Sequence, residues 1–234
     1  MKRNKTAKKK NGFKNSMVLN PKDFINEYLF EVTKCLISLD KSKIEEVINV
    51  LVEAYKKNKK VFILGNGGSA STASHMACDL GKGTLQRVYD NTEKRFRVIS
   101  LTDNVALMTA LANDLGFDDI FIQQLRNLVE KGDVVIAISG SGNSPNVIKA
   151  VEYAKSSGAV TIGFLGFKTG GKLGDMVDYS IIVDSDHYGP IEDIQLVLNH
   201  LIASWIASIK GYHDKTNLKN ENTAVPFKYS TSKK

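Results

Sequence analysis

His75 and Asp79 stand four residues apart in a stretch that reads as helix, so their side chains share one face, a turn apart. A neutral imidazole and a carboxylate at that spacing can share a divalent metal, zinc being the usual choice for mixed nitrogen and oxygen ligands. The bland alternative is a plain i,i+4 contact of a few tenths of a kcal/mol. Just upstream runs Gly65-Asn66-Gly67-Gly68-Ser69, between the apolar run Val61 to Leu64 and a helix expected from about Ala70 to Leu80. Such a loop suits an anion: its glycines admit close backbone approach, the helix start offers free N–H groups, and Ser69 adds a hydroxyl. Asn66, Gly67, Gly68 and Ser69 are therefore candidate ligand contacts. A second loop, Ser139-Gly140-Ser141-Gly142-Asn143-Ser144, follows Val134 to Ile138, and Pro145 opens the next helix. There Ser139, Ser141, Asn143 and Ser144 converge without a cation.

Either loop alone is equally explained as a capped strand-to-helix turn. Two of them point to a phosphate. Neither carries a G-K-S/T ending or a G-x-G-x-x-G run, which argues against nucleoside triphosphates and dinucleotides and for a small phosphate ester.

These loops need a scaffold. The 234 residues are 42% hydrophobic and 24% charged, which is ordinary for one globular domain. Asn20 before Pro21 caps a helix with Phe24, Ile25, Tyr28, Leu29, Val32 and Leu36 at helical spacing, and Ser42 with Glu45 reads as a capping box for a second helix. Five buried-strand runs follow, at Val61 to Leu64, Val98 to Leu101, Val134 to Ile138, Val160 to Leu165 and Tyr179 to Val183. Helical stretches separate most of them. The expected fold is α/β, a doubly wound five-stranded parallel sheet with the N-terminal helices packed outside and ligands beyond the carboxyl ends of the strands.

The net charge of +7 sits at one end: seven of the 32 basic residues lie within residues 1–15 with no acid, which leaves 25 against 25 acids. We therefore expect a disordered basic arm over residues 1–19, a domain over 20–210 and a disordered polar tail over 211–234. Nucleic acid is an unlikely partner except through the arm. No apolar run approaches the roughly 20 residues that span a bilayer, no secretory signal is visible, and the cysteines, Cys35 and Cys78, suggest neither a disulfide framework nor a cysteine-rich metal site. A cytoplasmic protein without membrane contact is expected.

From Phe24 to Ile209 the chain resembles a sugar isomerase (SIS) domain of the phosphoheptose isomerase group. The resemblance rests on GNGGS, the stretch from Ser100 through Ala112 to Phe121, SGSGNS, Lys168 to Lys172, His187-Tyr188-Gly189 and Ile191 to Gln195, in that order. It implies a flavodoxin-like fold, a homotetramer with active sites between subunits, and interconversion of sedoheptulose 7-phosphate with D-glycero-D-manno-heptose 7-phosphate, usually with zinc. It further implies that His75 is a zinc ligand, that Asp79 stands where the family has a glutamate acting as ligand and base, and that Gln195 is a further ligand. By the same resemblance Glu192 and Asp103 lie at or near substrate-contacting acids.

Two departures bear on catalysis. Asp79 is one methylene shorter than that glutamate, and the family's second catalytic histidine falls here on Ala203. His200, five residues after Gln195, sits roughly 140° from it around a straight helix, so a bulge or a neighbouring subunit is needed to recruit it. His187 is a second candidate. Sequence reasoning thus retains an isomerase in which Asp79, His75 and His200 carry the chemistry. Beside it stand a silent sugar-phosphate sensor or assembly factor of the same fold, and an isomerase of another phosphorylated sugar.

Overall fold

The computed structural model describes residues 20–216, with side chains as far as Gly211. The basic arm and the polar tail beyond Thr216 lie outside the described residues. Strands β1 (Lys60–Gly65), β2 (Arg97–Ser100), β3 (Val134–Ser139), β4 (Val160–Leu165) and β5 (Tyr179–Ile182) form one parallel sheet in the order β2-β1-β3-β4-β5. All five expected strands are present, their ends displaced by a residue or so.

Each central strand is apolar at consecutive positions because both faces of the sheet are covered. Val61, Ile63 and Ile136 face one core with residues of α2 (Lys41–Lys56), α3 (Gly68–Cys78) and α8 (Tyr188–Thr216). Phe62, Leu64, Val135 and Ala137 face the other, with α5 (Ile122–Leu128), α6 (Pro145–Ser156) and α7 (Gly171–Met176). The remaining helices are α1 (Pro21–Ser38), lying on α8, and α4 (Val105–Asp114). Of α8's 29 residues the last six pass beyond Lys210, where the domain was expected to end.

Local chemistry sets the helix ends. Asn20 caps α1, its side chain accepting from the Asp23 amide at 3.0 Å. The cap of α2 is Asp40 rather than the expected Ser42: its Oδ1 accepts from the Ser42 amide at 2.9 Å and the Ser42 hydroxyl at 2.6 Å. A carboxylate two residues earlier outcompetes the serine because it meets two donors and the positive end of the helix together. The Ser42 hydroxyl and the local amides hold the Asp40 carboxyl below its ordinary range.

Two helices depart from expectation. The helix after GNGGS begins at Gly68, and Asp79–Gly83 continues it as a π-turn, the Thr84 amide reaching back five residues to the Asp79 carbonyl at 3.0 Å. Single π-turns within helices commonly accompany functional sites. On α1 only Cys35 is buried, and Ile25, Leu29, Phe30 and Ile37 remain exposed. Among the described residues no helix is long and apolar enough to cross a membrane.

Candidate active site

The sheet order reverses between β1 and β3, and both glycine- and serine-rich loops leave the carboxyl ends of those two strands. That crevice is where such sheets bind ligands. Gly67, at φ +57°, turns the chain into α3, which has no side-chain cap, so its first amides are open to a ligand. Ser69 is buried at that start. In the second loop the Ser139 hydroxyl accepts from the Gly142 amide at 3.1 Å, Asn143 bonds the Ser141 carbonyl at 2.8 Å, and Asn143 Oδ1 accepts from the Lys172 amide at 3.1 Å. Ser144 begins α6 without a side-chain capping bond. Gly142 adopts φ +61°, and a methyl group there would overlap the Gly170 carbonyl. The Lys168 to Lys172 stretch therefore acts as a brace behind the serine loop.

The two loops are joined by a pair that sequence reasoning missed. Asn66 and Asn146 exchange amide hydrogen bonds, 2.9 Å in each direction, and Asn146 is buried in the first turn of α6. Asn66 thus ties the first loop to the second.

α3 and α8 lie side by side. Near their starts the Glu192 carboxylate packs on the α-carbon of Gly68, and farther along Asn199 reaches Asp79. The helices therefore run in the same direction, and the seam carries a cluster: His75 Nε2 lies 3.3 Å from Asp79 Oδ2 and 3.1 Å from His200 Nε2, which is itself 3.7 Å from Asp79 Oδ2. His200 gets there from a continuous helix, without the bulge or neighbouring subunit that its phase seemed to require. Its neighbour Asn199 faces inward to Asp79 while His200 leans over the rim toward His75. One Nε2 must donate to the other, so a cation between the rings would take the place of a shared proton.

These three residues could hold a divalent metal. Atoms about 2.05 Å from a tetrahedral ion are about 3.3 Å apart, close to all three observed edges, and the triangle leaves one vertex open. Gln195 lies one turn before Asn199, fully buried, with Nε2 donating to the Phe164 carbonyl at 3.0 Å and no partner for Oε1. His187 stands in the loop before α8, outside the cluster.

Of the two acids, Asp103 is exposed and held by the hydroxyl of Ser74 on α3. Glu192 is half-buried, and burial together with the neighbouring Asp193 carboxylate pushes its pKa up. The Tyr188 ring stands against Gly140 and meets Phe167 edge-on at 4.9 Å, an aromatic wall beside the serine loop. Phe167 and Lys168 both have positive φ, +53° and +61°, a conformation retained where surrounding structure enforces it. No periodicity marks Asn146, Asn199 or Phe167; only the tertiary fold brings them to the site.

Comparison with known proteins agrees with this geometry. The SIS domain family matches residues 26–166. A phosphoheptose isomerase of Nitratiruptor sp. is 39% identical over 158 residues, covering 67% of this chain and 81% of that protein. One of Helicobacter pylori is 38% identical over 164 residues, covering 70% and 82%. The solved phosphoheptose isomerase of Neisseria gonorrhoeae superposes with a TM-score of 0.73 at 27% identity, over 81% of this chain and all of that one. Sequence, sheet order and site together place this chain in the SIS-domain phosphoheptose isomerase family.

Proposed function

We propose that this chain interconverts sedoheptulose 7-phosphate and D-glycero-D-manno-heptose 7-phosphate, with zinc held by His75, Asp79 and His200. The observation that carries the proposal is that α3 and its π-turn join the open helix start to His75 and Asp79, while α8 brings His200 to complete the triangle. Ser69 and His75 are six residues apart, about 9 Å along the axis. In an extended seven-carbon chain, C7 and C2 are separated by five bonds of about 1.5 Å, or roughly 6 Å along the zigzag. The phosphate ester adds about 3 Å, so phosphate at Ser69 brings C1 and C2 level with the triangle.

Ser69, Ser139, Ser141 and Ser144, with the backbone around Gly67, Gly68 and Asn143, hold the phosphate; Asp103 and Glu192 meet the sugar hydroxyls. When bound, zinc would polarise the oxygens on C1 and C2 and stabilise charge as it develops there. From the ketose, Asp79 lifts a proton from C1 and returns it to C2 while the hydroxyl proton on O1 passes to O2, so that no proton is gained or lost overall; Oδ1 is the atom left for this while Oδ2 faces the two imidazoles. Gln195 offers Oε1, which is buried without a donor, as a further ligand. A silent sensor would fit the alanine at 203, but His200, a turn earlier, brings an imidazole 3.1 Å from His75, which supports the isomerase.

A homo-oligomer, a tetramer by family resemblance, fits the apolar face of α1 and α4, a helix that has no buried residue although its sequence is mostly apolar, Val105 being 67% exposed. A phosphorylated substrate and two free thiols, Cys35 and Cys78, fit a reducing cytoplasm. The test is turnover of sedoheptulose 7-phosphate by purified protein with zinc, with chelator, and with Asp79→Asn. Turnover abolished in both controls is expected. Full turnover after exhaustive chelation would refute the metal assignment, and no turnover in any condition would refute the isomerase.

A further inference from the structure

Asn199 is fully buried and donates Nδ2 to Asp79 Oδ2 at 2.8 Å. That same oxygen faces His75 Nε2 at 3.3 Å and His200 Nε2 at 3.7 Å. An aspartate carboxylate rotates over a broad range, so nothing intrinsic to Asp79 selects which oxygen points into the seam. Asn199 does. Its own orientation is fixed, because turning the amide over would set Oδ1 against a carboxylate oxygen. At its other end Asn199 Oδ1 has no partner, a costly arrangement for a buried acceptor. The tie to Asp79 is therefore the contact that accounts for an amide at this position.

We propose that Asn199 is a positioning residue matched to the length of Asp79: it locks Oδ2 into the metal triangle and makes a short carboxylate the right ligand there. The proposal rests on the metal reading above. A glutamate at position 79 would carry its carboxylate about 1.5 Å farther. Asn199 is already at hydrogen-bond distance and, being buried in a close-packed seam, cannot retreat. Lengthening the acid should thus weaken the site while Asn199 is present and be tolerated once Asn199 is shortened.

The test uses the full chain and Co2+ as a spectroscopic probe, with affinity measured by chelator competition and folding checked by circular dichroism. Asp79→Glu and Asn199→Leu should each weaken Co2+ by about 10-fold or more, the range seen when the support of a metal ligand is lost. Asp79→Glu combined with Asn199→Ala, or with Asn199→Ser should the alanine variant fail to fold, should bind at least about 3-fold more tightly than Asp79→Glu alone. Undiminished Co2+ affinity in Asp79→Glu, or no recovery in the double variants, overturns the proposal. If the unmodified chain binds neither Co2+ nor Zn2+, the metal reading fails and turnover decides instead: Asn199→Leu lowering kcat at constant KM sustains the positioning role, and unchanged kcat or no turnover removes it.

Discussion

Replacing Asn146 by alanine tests whether the two loops act as one site. The reciprocal bonds to Asn66, 2.9 Å each, would both be lost, and the Val147 amide would lose its 3.0 Å contact with Asn146 Oδ1. Each amide bond contributes about 0.5–1.5 kcal/mol net. Asn146 is 1% exposed, but Asn66 is only half-buried and can turn to water, so the loss should be about 2 kcal/mol. For a domain of this size that lowers Tm by roughly 4–8 °C. Urea unfolding of Asn66→Ala, Asn146→Ala and the double variant closes a cycle, with an expected coupling of about 1–2 kcal/mol. If, as proposed, the loops hold the phosphate and not the reacting carbons, the variants should show a raised KM for the sugar phosphate with a smaller change in kcat. Strictly additive stability losses, or Asn146→Ala within about 0.5 kcal/mol of the unmodified protein, would refute the coupling.

Other outcomes follow from single contacts. Gly142→Ala combines a left-handed backbone with overlap on the Gly170 carbonyl and should cost about 2–4 kcal/mol in urea unfolding; it should also abolish thermal stabilisation by the sugar phosphate. Lys210 and Glu93 pair at 3.1 Å with side chains 9% and 10% exposed, so Lys210→Met should destabilise by about 2–4 kcal/mol at neutral pH. Burial would push Glu93 up, but the Gln86 and Arg87 amides and Lys210 hold it below its ordinary value. Its contribution is therefore present above about pH 4.5 and lost as pH falls through the depressed value; Lys210→Met should flatten that acid limb of the stability profile. Glu192 is shifted the opposite way, so its contribution is fullest below its ordinary value and lost as pH rises through the raised one. Glu192→Gln should make the protein relatively more stable at pH 7 than at pH 4, as read by denaturant midpoints, and an unchanged ratio would count against the shift.

Much of the fold was legible because its signals are local. Buried parallel strands need apolar residues at consecutive positions, and Val134 to Ile138 supplies them; glycine at the strand ends marks the turns. Helix caps were less secure, since Asp40 and Ser42 are both good cap residues and only the geometry shows that the carboxylate meets both the amide and the hydroxyl of Ser42. The amphipathic pattern of α1 identified a helix but not what covers its apolar face, because periodicity reports that a face is apolar and not which surface meets it. Partners such as Asn66 and Asn146, eighty residues apart, leave no mark in spacing at all.

His200 shows where helical phase misleads. Measured from Gln195 it points away, and that inference holds only if the site lies on the face that Gln195 occupies. The structure puts the relevant surface at a seam, with α3 lying along α8 and Asp79 between the two helices. At a seam two adjacent residues, 100° apart, can both touch the neighbouring helix, one from beneath and one over the rim. Asn199 takes the first position and His200 the second, which is why Asn199 is fully buried while the His200 side chain is 53% exposed. On the proposed reading, Asp79, Asn199 and His200 form one arrangement, in which the amide holds a carboxylate oxygen from beneath and the imidazole approaches from the open side. The same geometry leaves His75, 46% exposed, and His200 open to solvent, as the proposed function requires for a sugar with its phosphate at the start of α3.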